Sequence, residues 1–71
     1  MITPTQQEIV RQLASLCELA PDVRVGQLMA HLGFLGEDMF ERNLWDIEDD
    51  DLLRVVERHA AELRQRQSNV A

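Results

Sequence analysis

The residues of this chain best suited to chemistry are one cysteine, two histidines and a crowd of carboxylates. Asp46, Glu48, Asp50 and Glu57 fall at places 1, 3, 5 and 12 of the register in which a calcium loop presents its oxygen ligands. Place 6 of that loop turns on a glycine, but here it is Asp51, and Leu52 to Val56 already reads as helix. Loose, millimolar association with cations is all that this register predicts. Cys17, His31 and His59 approach neither the C-x-x-C nor the H-x3-H spacing of a zinc site. Cys17 and His59 both fall toward the core by helical periodicity, where a thiol is raised in pKa and inert, so no nucleophile pair is expected. A buried, hydrogen-bonded histidine is the default reading of His59, with His31 on the border of its own helix's apolar face. Paired carboxylates for glycoside chemistry require a cleft that raises one pKa and leaves the other low, and a chain of 71 residues has little room for one. The expectation is a protein that is not an enzyme, with no catalytic residue, no metal and no cofactor.

Charge is more informative than reactivity. The net charge is -6, from 13 acids against 7 bases, and all of the bases are arginine. Residues 37 to 51 hold Glu37, Asp38, Glu41, Asp46, Glu48, Asp49, Asp50 and Asp51 against the single Arg42, a local charge of -7. The other 56 residues carry five acids and six arginines, a sum of +1. Nucleic-acid binding requires a basic face that displaces counterions from phosphate, and no helix supplies one. Direct nucleic-acid binding is therefore not expected. With one cysteine there is no internal disulfide, which suits a reducing compartment. The segment MITPTQQEIV has no basic n-region or apolar stretch, and no apolar run approaches the ~20 residues that cross a bilayer. The expected location is the cytoplasm, without membrane contact.

The elements that must position these groups are helical. No segment alternates apolar and polar residues, and tyrosine is absent. The pattern predicts a single all-α domain over residues 1 to 71: three main helices at about 4–20, 23–34 and 48–66, one short helix at about 36–42, and a tail that frays after about 66. Thr3 reads as an N-cap, Pro4 suits the first helical position, and Thr5 with Glu8 offers a later capping box. Ile9, Val10, Leu13, Leu16, Cys17 and Ala20 then share an arc of about 120° until Pro21 stops the helix. Asp22 is the expected cap of the second helix, whose arc is Val25, Leu28, Met29, Leu32 and Leu35. Gly26, Ala30 and Gly33 lie beside that arc, as a close-approach surface for another helix; equally, Gly33 and Gly36 read as helix terminators. Asn43 is the expected left-handed exit of the short helix. Phe34, Phe40 and Trp45 are expected to plug the open end of the core. In the last helix Leu52, Val56, Ala60 and Leu63 form the buried stripe, flanked by Leu53 and Val55. Its first turn is rich in carboxylates and its last turns carry Arg64 and Arg66, both favourable to the helix dipole.

VRVGQLMAHLGF and NLWDIEDDDLL together resemble small helical proteins of bacteria and their phages, in which an R-x-G-Q-L/I helix precedes an aromatic-containing D-I/L-x-x-I-E-D-x-x-L segment. Arg24, Gly26, Gln27 and Leu28 match the first motif, and Trp45, Asp46, Ile47, Glu48, Asp49, Asp50, Leu52 and Leu53 the second. The likeness covers about half of the chain. It implies a short helical protein and no particular activity, with Arg24 and Gln27 packing on the aspartate-rich segment.

A charge of -7 over fifteen residues exceeds what capping one helix requires. The expectation is an interaction module or small regulatory subunit that binds a protein partner, one with a basic surface, through Glu37, Asp38, Phe40, Glu41, Trp45, Glu48, Asp49, Asp50 and Asp51. Phe40 or Trp45 would be the apolar anchor inside an acidic rim. A second expectation is a homodimer or larger homo-oligomer that pairs leftover apolar residues such as Leu19 and Leu35. The third is imitation of phosphate in a nucleic-acid-binding protein's groove.

Overall fold

A computed structural model describes residues 1–68. It contains helices α1 (Pro4–Leu19), α2 (Val25–Phe40) and α3 (Asp49–Ser68), and among the described residues there is no strand. The expected all-α bundle is what forms. α3 runs two residues past the expected boundary at 66, and the rest of the expected frayed tail lies outside the described residues.

α1 starts as its sequence dictates. Thr3 Oγ1 accepts the Gln6 N–H at 3.1 Å and Gln6 Oε1 accepts the Thr3 N–H at 3.0 Å, so each side-chain oxygen satisfies the other residue's backbone donor around Pro4. Ile9 and Leu16 are buried and Leu13 half-buried. Val10 and Cys17, expected in the core, are both exposed, Val10 by 58%. α1 packs mainly on α3 and only sparsely on α2, so a single stripe is covered and the adjoining flank is left open.

α2 departs most from the sequence pattern. It begins at Val25, and its N-cap is Arg24 rather than Asp22: the Arg24 N–H donates to Gln27 Oε1 at 2.9 Å. It does not stop at Gly33 or Gly36, and the short helix expected over 36–42 is its last turn. No glycine has a positive φ, so neither acts as a terminator. The two glycines make room instead. A Cβ on Gly33 would lie 3.5 Å from the Leu44 side chain, and one on Gly36 would lie 3.5 Å from both the Arg42 carbonyl oxygen and Ile47 Cδ1. The chain after α2 folds back onto this narrow strip, which compensates the poor helix propensity of glycine. The left-handed exit is Glu41, at φ 57° and ψ 35°, not Asn43. Asn43 closes the next turn, where its Oδ1 accepts the Asp46 N–H at 3.0 Å and its carbonyl accepts the Ile47 N–H at 3.0 Å.

α3 is the central helix and packs against both others. Val55, Val56 and Ala60 are fully buried in a core with Leu16, Leu28, Leu32 and Ile47. At one end Gln6 Nε2 donates to Asp49 Oδ2 at 3.3 Å and Thr5 Oγ1 to Asp50 Oδ1 at 3.4 Å. At the other, Gln67 Nε2 donates to the Leu19 carbonyl at 2.8 Å. α1 and α3 therefore run parallel and α2 antiparallel to both, which puts the 41–48 turn at the end where α3 begins.

Candidate functional site

The acidic residues of the 37–51 segment divide into two groups by what they touch. Asp49, Asp50 and Asp51 form the first turn of α3, where carboxylates are stabilised by the helix dipole. They also have partners: Asp49 and Asp50 bond to Gln6 and Thr5, and Asp51 lies 3.9 Å from Arg54. Asp49 and Asp50 thus tie α3 to α1, and Asp51 pairs within α3 itself. Arg24 and Gln27 bond to each other and do not reach the aspartates.

Glu37, Asp38, Glu41, Asp46 and Glu48 are different. All are exposed, and their carboxylates make no hydrogen bond or ion pair among the described residues. Glu37 and Asp38 stand in the last turn of α2 and Glu41 is its C-cap, the end of a helix that disfavours negative charge. Capping cannot account for Glu37, Asp38 and Glu41, whereas Glu48, whose carbonyl accepts the Leu52 N–H, and Asp46 stand just before the N-terminus of α3.

Trp45 lies within this second acidic group, between Glu41 and Asp46 in the chain, and is 94% exposed. Its neighbours determine that exposure. Leu44 rests on Gly33, Ile47 is buried against Gly36, and Asn43 pins the turn by its hydrogen bonds, so the residue between those anchors points outward. Phe34, next to Gly33, is 69% exposed. Phe40 alone among the aromatics is half-buried and packs on the core. The aromatic plug expected from the sequence thus reduces to Phe40, because Leu44 and Ile47 fill the space beside α2. Phe40 is correspondingly poorly placed as an anchor, and Trp45 well placed. Leu19 and Leu35, suspected of pairing across a symmetry axis, are half-buried, and Leu35 packs on the core.

A second group lies midway along α2 and α3. His31 of α2 and His59 of α3 face each other with ring centroids 4.4 Å apart. Glu62 Oε2 lies 3.9 Å from His59 Nδ1, while its Oε1 accepts from Arg58 Nε at 3.2 Å. His59 is buried as expected, but its Nδ1 has no hydrogen-bond partner. Burial foremost, then the neighbouring His31, pushes the His59 pKa below 6.5, against a smaller opposing effect of Glu62. An adjoining pocket of about 350 Å³ is lined by Val23, Gln27, Leu63 and Arg66 among others. Cys17 is exposed and belongs to no such group. Periodicity placed each histidine on or beside an apolar stripe. Only the antiparallel pairing of α2 and α3 reveals that they meet.

No protein-family model, curated protein or solved structure matches this chain.

Proposed function

We propose that this protein is an interaction module, a binding subunit rather than an enzyme, whose contact surface is Trp45 with the unpartnered carboxylates of Glu37, Asp38, Glu41, Asp46 and Glu48. The observation that carries this reading is the 94% exposure of Trp45 on a turn held in place on both sides. Burying an indole of about 200 Å² is worth up to roughly 5 kcal/mol, and this fold leaves nearly all of it unrealised. Tryptophan is the residue type most enriched among binding hot spots, in a dry centre with a polar surround. The acidic surround fits a partner with a basic face, since complementary charge speeds encounter and excludes wrong partners.

Self-association is the second reading, and the exposure of Phe34 and Val25 on α2 favours it. Affinity capture from the native host, with light scattering on the purified chain, separates the two. A monomer that retains a stoichiometric partner, and loses it when Glu37 and Asp38 are changed to lysine, supports the first reading. A concentration-dependent dimer with no other partner replaces it with the second.

A further inference from the structure

We propose that His31, His59 and Glu62 form a binding site for one divalent transition-metal ion of the zinc type, bridging α2 and α3 near their middles. The inference does not depend on the interaction surface, whose nearest members along the chain are Glu37, six residues from His31, and Glu48, eleven from His59, or roughly 9 and 16 Å of helix.

Three observations point to a metal. First, one ligand atom from each of the three residues lies within 4.8 Å of the others. Donors around a tetrahedral ion at zinc-to-nitrogen lengths are about 3.3 Å apart, so a closure of about 1.5 Å completes the site. His31 is exposed and Glu62 only half-buried, and both can make that movement by side-chain rotation. Second, His59 is more than nine-tenths buried, yet its Nδ1 has no hydrogen-bond partner among the described residues. Buried polar groups are almost always satisfied, and a metal ion is a partner that an imidazole nitrogen can take in place of a hydrogen bond. Third, the carboxylate is already oriented. Arg58 holds Glu62 Oε1, which leaves Oε2 facing His59, the arrangement by which an outer residue fixes a ligating carboxylate.

The donor set selects the ion. Two imidazoles with one carboxylate suit zinc and its neighbours, whereas calcium and magnesium require oxygen ligands throughout. Three protein donors leave a fourth position open for water or an anionic group, and His31 and His59 themselves line the pocket that also holds Gln27 and Arg66.

The test is calorimetric titration of zinc into the full chain after chelator treatment, with magnesium as control. One zinc per chain is expected, with a rise in Tm and an affinity that falls on acidification as protons compete for the imidazoles. His31→Ala and Glu62→Gln each change a group that is not buried, so both should fold, as circular dichroism verifies. Each is expected to weaken zinc roughly tenfold or more. Glu37→Lys with Asp38→Lys should leave zinc affinity unchanged, even if partner binding fails. Absence of zinc binding at millimolar concentration overturns the site. Unchanged affinity in His31→Ala overturns it as well, and would assign any bound zinc to the carboxylates of residues 37 to 51.

Discussion

The carboxylates at the end of α2 are placed against the helix dipole, and that placement gives a quantitative prediction. Glu37 and Asp38 occupy the last turn, which contains no base. A charge at a helix terminus changes stability by about 0.3–1 kcal/mol at low ionic strength, and reversal turns an unfavourable charge into a favourable one. Neither side chain makes an ion pair among the described residues, so no contact must be subtracted. The double variant Glu37→Lys, Asp38→Lys should therefore be more stable than the parent by about 1–2 kcal/mol. For a domain of this size that corresponds to a Tm increase of roughly 5–10 °C. Thermal and urea unfolding in low salt reads the effect, and repeating both at high salt should remove most of it by screening. Both lysines must remain on a folded helix, checked by circular dichroism. A variant that is equally stable or less stable in low salt would refute the claim that these acids are kept at a cost to the fold.

Other perturbations address the rest of the bundle. Gly33→Ala should stabilise the chain by about 0.5–1 kcal/mol, because alanine is the better helix former and its Cβ meets Leu44 at an ordinary contact distance of 3.5 Å; a lower urea midpoint would mean that Leu44 cannot accept the methyl group. Thr3→Ala should cost about 1 kcal/mol, measured by the same unfolding curves, since the Gln6 N–H loses its acceptor. With a chelator present, stability should fall as pH is lowered from about 6.5 until the folded His59 itself titrates, because the unfolded chain takes up that proton first. That part of the pH slope should be absent in His59→Gln, and its persistence would assign the slope to another group. Val56→Ala, at a fully buried position, should cost about 1–3 kcal/mol in urea unfolding and so take a large share of the stability of so small a domain.

The sequence was most legible where the determinants are local. Thr3, Pro4 and Gln6 are within one turn of each other, and the start of α1 follows from their types alone. The carboxylate-rich first turn of α3 was equally plain, although its ties to Thr5 and Gln6 across the bundle were not. Gly33 was legible either as a close-approach site or as a terminator, and Gly36 as a terminator, because a glycine that ends a helix and one that admits another segment look alike in sequence. What separates them is Leu44 and Ile47, which return from eleven residues further on. Helical periodicity gave the direction of Val10 and Cys17 but not whether any element covers that direction, and α2 does not. The same limit applied to Trp45, whose exposure is fixed by how its neighbours dock.

Trp45 is the only tryptophan in the chain, so a fluorinated indole at this position reports on the proposed interface without interference. Fluorine NMR of the labelled protein, titrated with the captured partner, should show a signal sensitive to solvent isotope in the free chain. That sensitivity should be lost on binding, as the indole leaves water. A complex that forms while the fluorine stays as solvent-sensitive as in the free protein would contradict the assignment of Trp45 as the anchor.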